Sequence, residues 1–164
     1  EGRMRLSKDI LGLAAEFAVA SELCRRNIYA QLTLGMRKRT DILVETERGM
    51  LRIQVKGKQG REWPGCKGIY GENIVLIFAD FEKKKENERP DFYILTVEDW
   101  RRLLEKELRQ TGKVGRGEVT IDEKNMPTWK DGYQGMGIIP KMIQEYQEQW
   151  DKIANMIGEV NASN

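Results

Sequence analysis

Residues 40–58, TDILVETERGMLRIQVKGK, carry the pattern that decides the fold. Two runs rich in aliphatic residues, 40–46 and 50–57, are separated by the short stretch ERG, which is typical of a β-hairpin. Side chains alternate between the faces of a strand, so the second run places only aliphatic side chains on one face. Its other face carries Gln54 and Lys56. The aliphatic face predicts a core, and the polar face needs a different explanation.

The rest of the chain predicts helices and further strands around this hairpin. Residues 7–26 place apolar residues at helical spacing after Ser7, a suitable N-cap, and so predict a helix. The sequence also predicts strands at 28–34 and 72–81. A strand followed by a helix is predicted at 91–112, and a last helix at about 140–158.

This order of elements predicts an α/β (α+β) domain with a mixed central sheet of about four to five strands flanked by helices. With 164 residues, 40% hydrophobic and 33% charged, the chain is long and apolar enough to bury a core. We see no internal repeat and no linker. Residues 1–164 are therefore predicted to form one domain, with its core at about 7–112 and a C-terminal extension.

Composition restricts the chemistry that the chain can perform. It has no histidine, which excludes serine–histidine and cysteine–histidine nucleophiles. The net charge of +2 neither requires nor excludes a polyanionic partner. The two cysteines form no disulfide framework, so a cytoplasmic location is expected. No apolar run approaches the roughly 20 residues of a membrane span, so no membrane partner is expected.

The hairpin is predicted to bring polar groups together. If Arg48 and Gly49 form a two-residue loop, Asp41 lies opposite Lys56 and Leu43 lies opposite Gln54. Directly opposed Cβ atoms are about 4.5–5.5 Å apart, so the carboxylate, the amide and the lysine converge on one face. A three-residue loop would break this arrangement, and the sequence leaves that alternative open.

The first helix supplies a further candidate, Glu16. The residues three and four positions away, Gly12, Leu13, Val19 and Ala20, are all small or apolar, so this carboxylate is predicted to face the sheet. A buried carboxylate without a partner is unfavourable, and a cation would balance it.

These groups suit a Mg²⁺ site for phosphodiester hydrolysis. Mg²⁺ prefers oxygen ligands, which Asp41, the Gln54 side chain and the Val55 backbone carbonyl offer. Lys56 is suited to orient the attacking water and offset charge on the phosphate, and Glu16 to hold a second ion or its water. A cross-strand salt bridge between Asp41 and Lys56 is the plainer alternative.

The segments GLAAEFAVASEL, TDILVE and LRIQVKGK resemble the PD-(D/E)XK nuclease superfamily, in particular its small resolvase-like members with a glutamate on the first helix. The later segments NIVLIFADF, RPDFYILTVEDW and PTWKDGY are also similar to members of that group, so the resemblance covers about 7–133. It implies a restriction-endonuclease-like fold and Mg²⁺-dependent cleavage of DNA, with Mn²⁺ able to substitute.

The resemblance also implies a role for each matching residue. Glu16 matches the helix glutamate, Asp41 the motif aspartate and Lys56 the motif lysine. Gln54 stands where an acidic residue is usual, as in some homing-endonuclease-like members, and Thr40 stands where the name-giving proline would be. A neutral amide is a weaker metal ligand than a carboxylate, so the metal affinity is expected to be lower.

Basic residues on both sides of these motifs are candidates for DNA contacts. Phosphates attract exposed lysine and arginine, although a run of charge is also typical of a solvated surface. The predicted contacts are Arg37, Lys38, Arg39, Lys58, Arg61 and Lys67. Trp63 and Tyr70 lie between these cations and are interpreted either as base-stacking groups or as packing residues.

The last predicted helix has apolar residues at a/d spacing. These residues, Ile143, Tyr146, Trp150, Ile153 and Ile157, form a seam that packs either on the chain's own sheet or on a second copy in a homo-oligomer. The leading hypothesis is a Mg²⁺-dependent DNA endonuclease. The alternatives are a catalytically inactive nuclease-fold module for DNA binding or assembly, and a dimerisation domain that uses the seam.

Overall fold

The computed structural model describes residues 4–37 and 39–158. Three α-helices are present in this part of the chain: α1 (Lys8–Cys24), α2 (Val97–Leu104) and α3 (Asp151–Ile157). Its strands are β1 (Gln31–Leu32), β2 (Ile42–Thr46), β3 (Gly49–Lys58), β4 (Trp63–Cys66), β5 (Ile74–Asp80), β6 (Asp91–Leu95), β7 (Val119–Ile121), β8 (Pro127–Trp129) and β9 (Met136–Ile138). A π-helical turn (Glu105–Arg109) follows α2, and two 3₁₀ turns (Pro140–Met142 and Gln144–Tyr146) precede α3.

Five strands form a mixed central sheet in the order β1-β2-β3-β5-β6. The β3–β5 pair is parallel, and the other neighbouring pairs are antiparallel. The predicted α/β class, with a mixed sheet of four to five strands and flanking helices, is confirmed. Two small antiparallel pairs, β4–β9 and β7–β8, lie outside this sheet. The predicted strand at 28–34 is shorter in the structure, where only Gln31–Leu32 is paired.

Helix α1 packs against one face of the sheet. It begins where the Ser7 side chain accepts a hydrogen bond from the Ile10 amide, as the sequence predicts. Gly57 lets the helix approach β3 closely, because a Cβ atom at this position would lie 2.8 Å from the Ala15 Cβ. This face of the core includes Ala15, Val19, Leu23, Ile42, Ile53, Val55 and Ile77.

The opposite face of the sheet is covered by the β4–β9 pair and by α2. Trp63 packs edge-on against Phe78, with ring centroids 4.9 Å apart. Helix α2 begins with a reciprocal cap, in which Thr96 accepts from the Asp99 amide and the Asp99 carboxylate accepts from the Thr96 amide. The sheet is therefore enclosed by two apolar layers, and Gln54 and Lys56 of β3 are half-buried.

The hairpin forms, but its predicted register is wrong by two residues. Thr46 pairs with Gly49, so Glu47 and Arg48 make the turn, and Leu43 lies opposite Arg52 and not Gln54. The Thr46 hydroxyl explains the shift, because it accepts from the Arg48 amide and donates to the Gly49 carbonyl. A shift of two residues leaves the paired side chains of β2 and β3 on their predicted faces.

The predicted single helix at 140–158 is also wrong. Two 3₁₀ turns replace its first half, and α3 covers only Asp151–Ile157. The chain leaves the helical path because Gln147 forms a β-bridge with Tyr93 and the Glu148 amide donates to the Phe92 carbonyl.

The apolar seam of this segment is occupied within the chain. Ile143, Tyr146, Trp150 and Ile153 are buried, and Ile157 packs against the same core as α1. Packing on the chain's own sheet is therefore the correct alternative, and the seam is not open to a second copy. Within 4–37 and 39–158 no helix combines the length and apolarity that crossing a membrane requires.

Candidate active site

Asp41 lies where β2 separates from β3. Its backbone amide donates to the Ile53 carbonyl at 2.9 Å although Ile53 is the partner of Ile42, so the ladder is irregular at this point. Its carboxylate Oδ2 then accepts from the Val55 amide at 2.7 Å. On the other side, its carbonyl accepts from the Thr33 amide at 3.0 Å. Asp41 is thus fixed by both neighbouring strands, and one edge of its carboxylate is engaged by β3.

Glu16 reaches the same carboxylate from α1. Desolvation by burial, a hydrogen bond to Asp41 and the negative charge of Asp41 together raise the pKa of Glu16 from 4.5 to about 7. Two carboxyl groups this close cannot both ionise freely without a compensating cation. At neutral pH the pair therefore either retains a proton or requires a bound positive charge.

Gln54 and Lys56 lie on β3. Their positions pair with Leu76 and Phe78 of β5, on the face opposite α1. The paired register of β2 with β3 ends with Ile42 opposite Ile53, and the Asp41 amide also donates to the Ile53 carbonyl, so Asp41 has no regular partner on β3. The predicted opposition of Asp41 and Lys56 is therefore wrong. Gln54 and Lys56 stand on either side of Val55, whose amide joins β3 to the Asp41 carboxylate.

Val55 turns its backbone towards Asp41. The N–H and C=O groups of one strand residue point to the same side, and the Val55 amide meets the Asp41 carboxylate. The Val55 carbonyl is therefore directed to the side of the sheet edge where Glu16 and Asp41 meet. The oxygen atoms of the predicted metal set come from one short region of β3 and from the residue before β2.

Lys56 is close enough to β4 to influence the buried Cys66 thiol. Burial raises the pKa of Cys66 to about 12, and the positive charge of Lys56 opposes this rise. The thiol hydrogen-bonds the Trp63 carbonyl at 3.4 Å. Cys66 is thus unsuited to act as a nucleophile, whereas half-buried Lys56 borders the polar face.

The donor set fits a hard divalent cation. It offers two carboxylates, one amide oxygen and one backbone carbonyl, and the Glu16–Asp41 pair would lose its mutual repulsion on binding a positive charge. No group of three or more Cys, Asp or Glu side chains suited to a metal ion is present among residues 4–37 and 39–158. Any metal site here depends on Gln54 and on the backbone as ligands.

The predicted DNA-contacting residues fall into two groups. Arg37, Arg39, Arg61 and Lys67 are exposed, while Lys38 lies outside the described residues. Lys58 is different because its side chain is only 2% exposed. Its ammonium contacts Asp80 at 2.8 Å and Glu82 at 2.9 Å and lies 4.9 Å from the Trp63 ring centroid.

The surroundings of Lys58 make it a structural residue. Its ammonium also donates to the Gly60 carbonyl at 2.9 Å, so its charge is balanced inside the protein. Lys58 is therefore removed from the predicted phosphate contacts. Trp63 is buried, which identifies it as a packing residue, whereas Tyr70 is exposed and has the Lys124 ammonium 5.7 Å from its ring centroid.

Two threonines next to the site were missed by the sequence analysis. The Thr33 hydroxyl donates to the Thr40 carbonyl at 2.7 Å, and both residues are buried. This contact closes the loop that precedes Asp41 and fixes the entry of the chain into the site. A hydroxyl residue at each end of a loop with one glycine and three consecutive basic residues is the signal that the sequence offered.

Comparison with known proteins gives no match among protein-family models, curated proteins or solved structures. The resemblance to the PD-(D/E)XK nucleases therefore stays a prediction.

Proposed function

We propose that this chain is a Mg²⁺-dependent endonuclease that hydrolyses phosphodiester bonds in DNA, and that its α/β fold is of the restriction-endonuclease-like kind. The observation that carries the proposal is the Glu16–Asp41 carboxyl pair, which a cation would stabilise and which is hydrogen-bonded to Val55, the residue between Gln54 and Lys56. The nuclease resemblance of the sequence supplies the substrate class.

Each residue of the site has a separate task in this proposal. Asp41, the Gln54 side-chain oxygen and the Val55 carbonyl would hold the cation, and Glu16 would hold a second cation or a water molecule bound to it. When bound, Mg²⁺ would neutralise charge on the phosphate and promote ionisation of the attacking water. Lys56 orients that water and offsets the negative charge that develops on the phosphate.

Cleavage of supercoiled plasmid DNA with Mg²⁺ or Mn²⁺ tests the proposal. We expect nicking by the wild type and its loss in Asp41→Ala and Lys56→Ala. Lys106→Ala is the matched control, because Lys106 is exposed on the π-helical turn outside the site. Equal nicking by the wild type and both site variants would reject the assignment, and so would equal absence of nicking under every metal tested.

A second candidate function is a nuclease-fold module that binds DNA without cutting it. It is favoured by the neutral amide of Gln54 and by the presence of only two carboxylates in the candidate set. Gln54→Glu separates the two candidates, because a third carboxylate should increase metal-dependent nicking of a weakened enzyme. Salt-sensitive DNA binding without nicking in either form would favour the binding module.

A further inference from the structure

The loop between β1 and β2 presents apolar side chains to solvent. Leu34 is 65% exposed and Met36 is 87% exposed. Arg37, which follows Met36, and Arg39 are also exposed. Large apolar side chains next to cations at a loop tip form a surface suited to a partner with flat apolar parts and negative charge.

The base of this loop is attached to the candidate active site. The Thr33 hydroxyl closes it on the Thr40 carbonyl, and the Thr33 amide donates to the Asp41 carbonyl. The Met36 amide donates to the Thr33 carbonyl at 3.0 Å, which makes a turn at the tip. The loop and Asp41 therefore belong to one hydrogen-bonded unit.

The loop backbone adopts conformations that its residues disfavour. Leu34 has φ 50° and Arg39 has φ 61°, which is the left-handed region that glycine adopts readily and other residues rarely do. Neither the unfavourable backbone geometry nor the solvent-exposed apolar side chains stabilise the folded state. Such positions tend to occur where a segment contacts a ligand.

We propose that this loop is a wedge for nucleic acid, in which Leu34 and Met36 enter an unstacked base step and Arg37 and Arg39 bind the adjacent phosphates. The inference rests on the proposed nuclease function and names its substrate class, a duplex interrupted by a bulge. Apolar wedges enter base steps most readily where stacking is already weakened.

An anionic membrane also attracts apolar and basic side chains, but it is less suited to this loop. The base of the loop is hydrogen-bonded to Asp41, a member of the proposed phosphodiester site. A nucleic acid supplies the bases, the phosphates and the scissile bond in one molecule.

Binding to two short duplexes without divalent metal tests the wedge. One duplex is fully paired, and the other has a central bulge beside a fluorescent purine analogue whose emission rises on unstacking. We expect the wild type to prefer the bulged duplex and to raise its emission. Leu34→Ala combined with Met36→Ala should weaken binding to the bulged duplex about tenfold and abolish the emission change. Met50→Ala, at an exposed methionine on the hairpin, is the control.

The arginines provide an independent readout. Arg37→Ala and Arg39→Ala should weaken binding to both duplexes alike, and each should reduce the salt dependence by about 0.9 in the logarithmic slope. The apolar variant should leave that slope unchanged.

Three outcomes would overturn the wedge. If the apolar variant binds the bulged duplex as the wild type does, while the wild type still nicks plasmid, the wedge is wrong and the proposed function stands. If the wild type neither binds nor nicks DNA, both are wrong. Binding to phosphatidylserine vesicles that depends on Leu34 and Met36, without a preference for the bulged duplex, would identify a membrane contact instead.

Discussion

Glu16 is the candidate residue whose surroundings most strongly oppose ionisation of its side chain. Burial and the Asp41 carboxylate raise its pKa to about 7, above the ordinary value of 4.5. The folded state thus binds a proton more tightly at this position than the unfolded state does. The contribution of Glu16 to stability is favourable at low pH and is lost as the pH rises through the folded pKa.

We therefore expect the melting temperature to fall as the pH rises from about 5 to about 8, around the Glu16 pKa of about 7, in the absence of divalent metal. Glu16→Gln should lessen this fall, because a neutral amide has no proton to lose. Added Mg²⁺ should raise the melting temperature of the wild type more at about pH 8 than at about pH 5.5, since protonated Glu16 is a poor ligand. Thermal unfolding followed by circular dichroism measures each effect, and identical pH profiles for the two proteins would contradict the Glu16 assignment.

Lys58 was predicted to contact DNA because it is a lysine in a basic stretch, but its partners, which are distant in sequence, make it a buried structural residue. Its ammonium is balanced by Asp80 and Glu82 from the end of β5 and the residues that follow. Lys58→Ala leaves the buried Asp80 carboxylate without its cation, so we expect a loss of about 3–5 kcal/mol in the free energy of unfolding. Urea denaturation measures the loss.

Lys67→Ala is the matched control for Lys58, because Lys67 is an exposed lysine of the same basic stretch. It should change the free energy of unfolding by no more than about 0.5 kcal/mol. Similar small losses for both variants would mean that the Lys58 side chain is not fixed inside the protein.

At the level of secondary-structure elements, the distance between α1 and β3 determines whether Glu16 meets Asp41. Gly57→Ala would place a Cβ atom 2.8 Å from the Ala15 Cβ, so the helix must move outward. We expect a loss of about 1–3 kcal/mol in the free energy of unfolding, together with reduced nicking.

Gly60→Ala provides the control for that change. Nothing lies within 4 Å of a Cβ atom at this position, and Gly60 does not have a positive φ. Its stability should be unchanged or slightly higher, because alanine restricts the unfolded chain. Equal stability of the two variants in urea would show that the contact between helix and strand is not tight.

Helix α1 and the hairpin could be predicted because their signals are local. The Ser7 cap and the apolar spacing fix the helix, and strand alternation fixes the faces of β3. The register could not be predicted, since it depends on the hydrogen bonds of the Thr46 hydroxyl, which place Glu47 and Arg48 in the turn. The break in the C-terminal helix depends on the pairing of Gln147 with Tyr93, which lies more than fifty residues earlier.

At the scale of the whole molecule, the candidate site was predicted as a set of residues but not in its detailed geometry. The apolar neighbours of Glu16 were enough to direct this carboxylate towards the sheet, where it meets Asp41. The hydrogen bonds from Asp41 to the Ile53 carbonyl and from the Val55 amide to Asp41 depend on the irregular end of the β2–β3 pairing, which the alternation of side chains does not encode. The Thr33–Thr40 contact depends on how the loop folds back, which strand and helix periodicities do not encode.

The C-terminal extension is joined to the rest of the molecule through Trp150. Its ring lies edge-on to Phe92 at 5.4 Å, with the Arg26 guanidinium 4.5 Å from its centroid. Its indole N–H donates to Glu148 at 2.7 Å. The ring thereby connects α1, β6 and α3, so the extension should unfold together with the sheet.

Trp150→Ala should lower the free energy of unfolding by about 3–5 kcal/mol, because it leaves a cavity between these three elements. Tyr29→Ala, at an exposed aromatic residue, should have little effect. Urea unfolding followed by both far-ultraviolet circular dichroism and tryptophan fluorescence should give one coincident transition for the wild type. Two separate transitions would instead indicate that the segment from Pro140 onward folds independently, and Trp150→Ala would then leave the main transition unchanged.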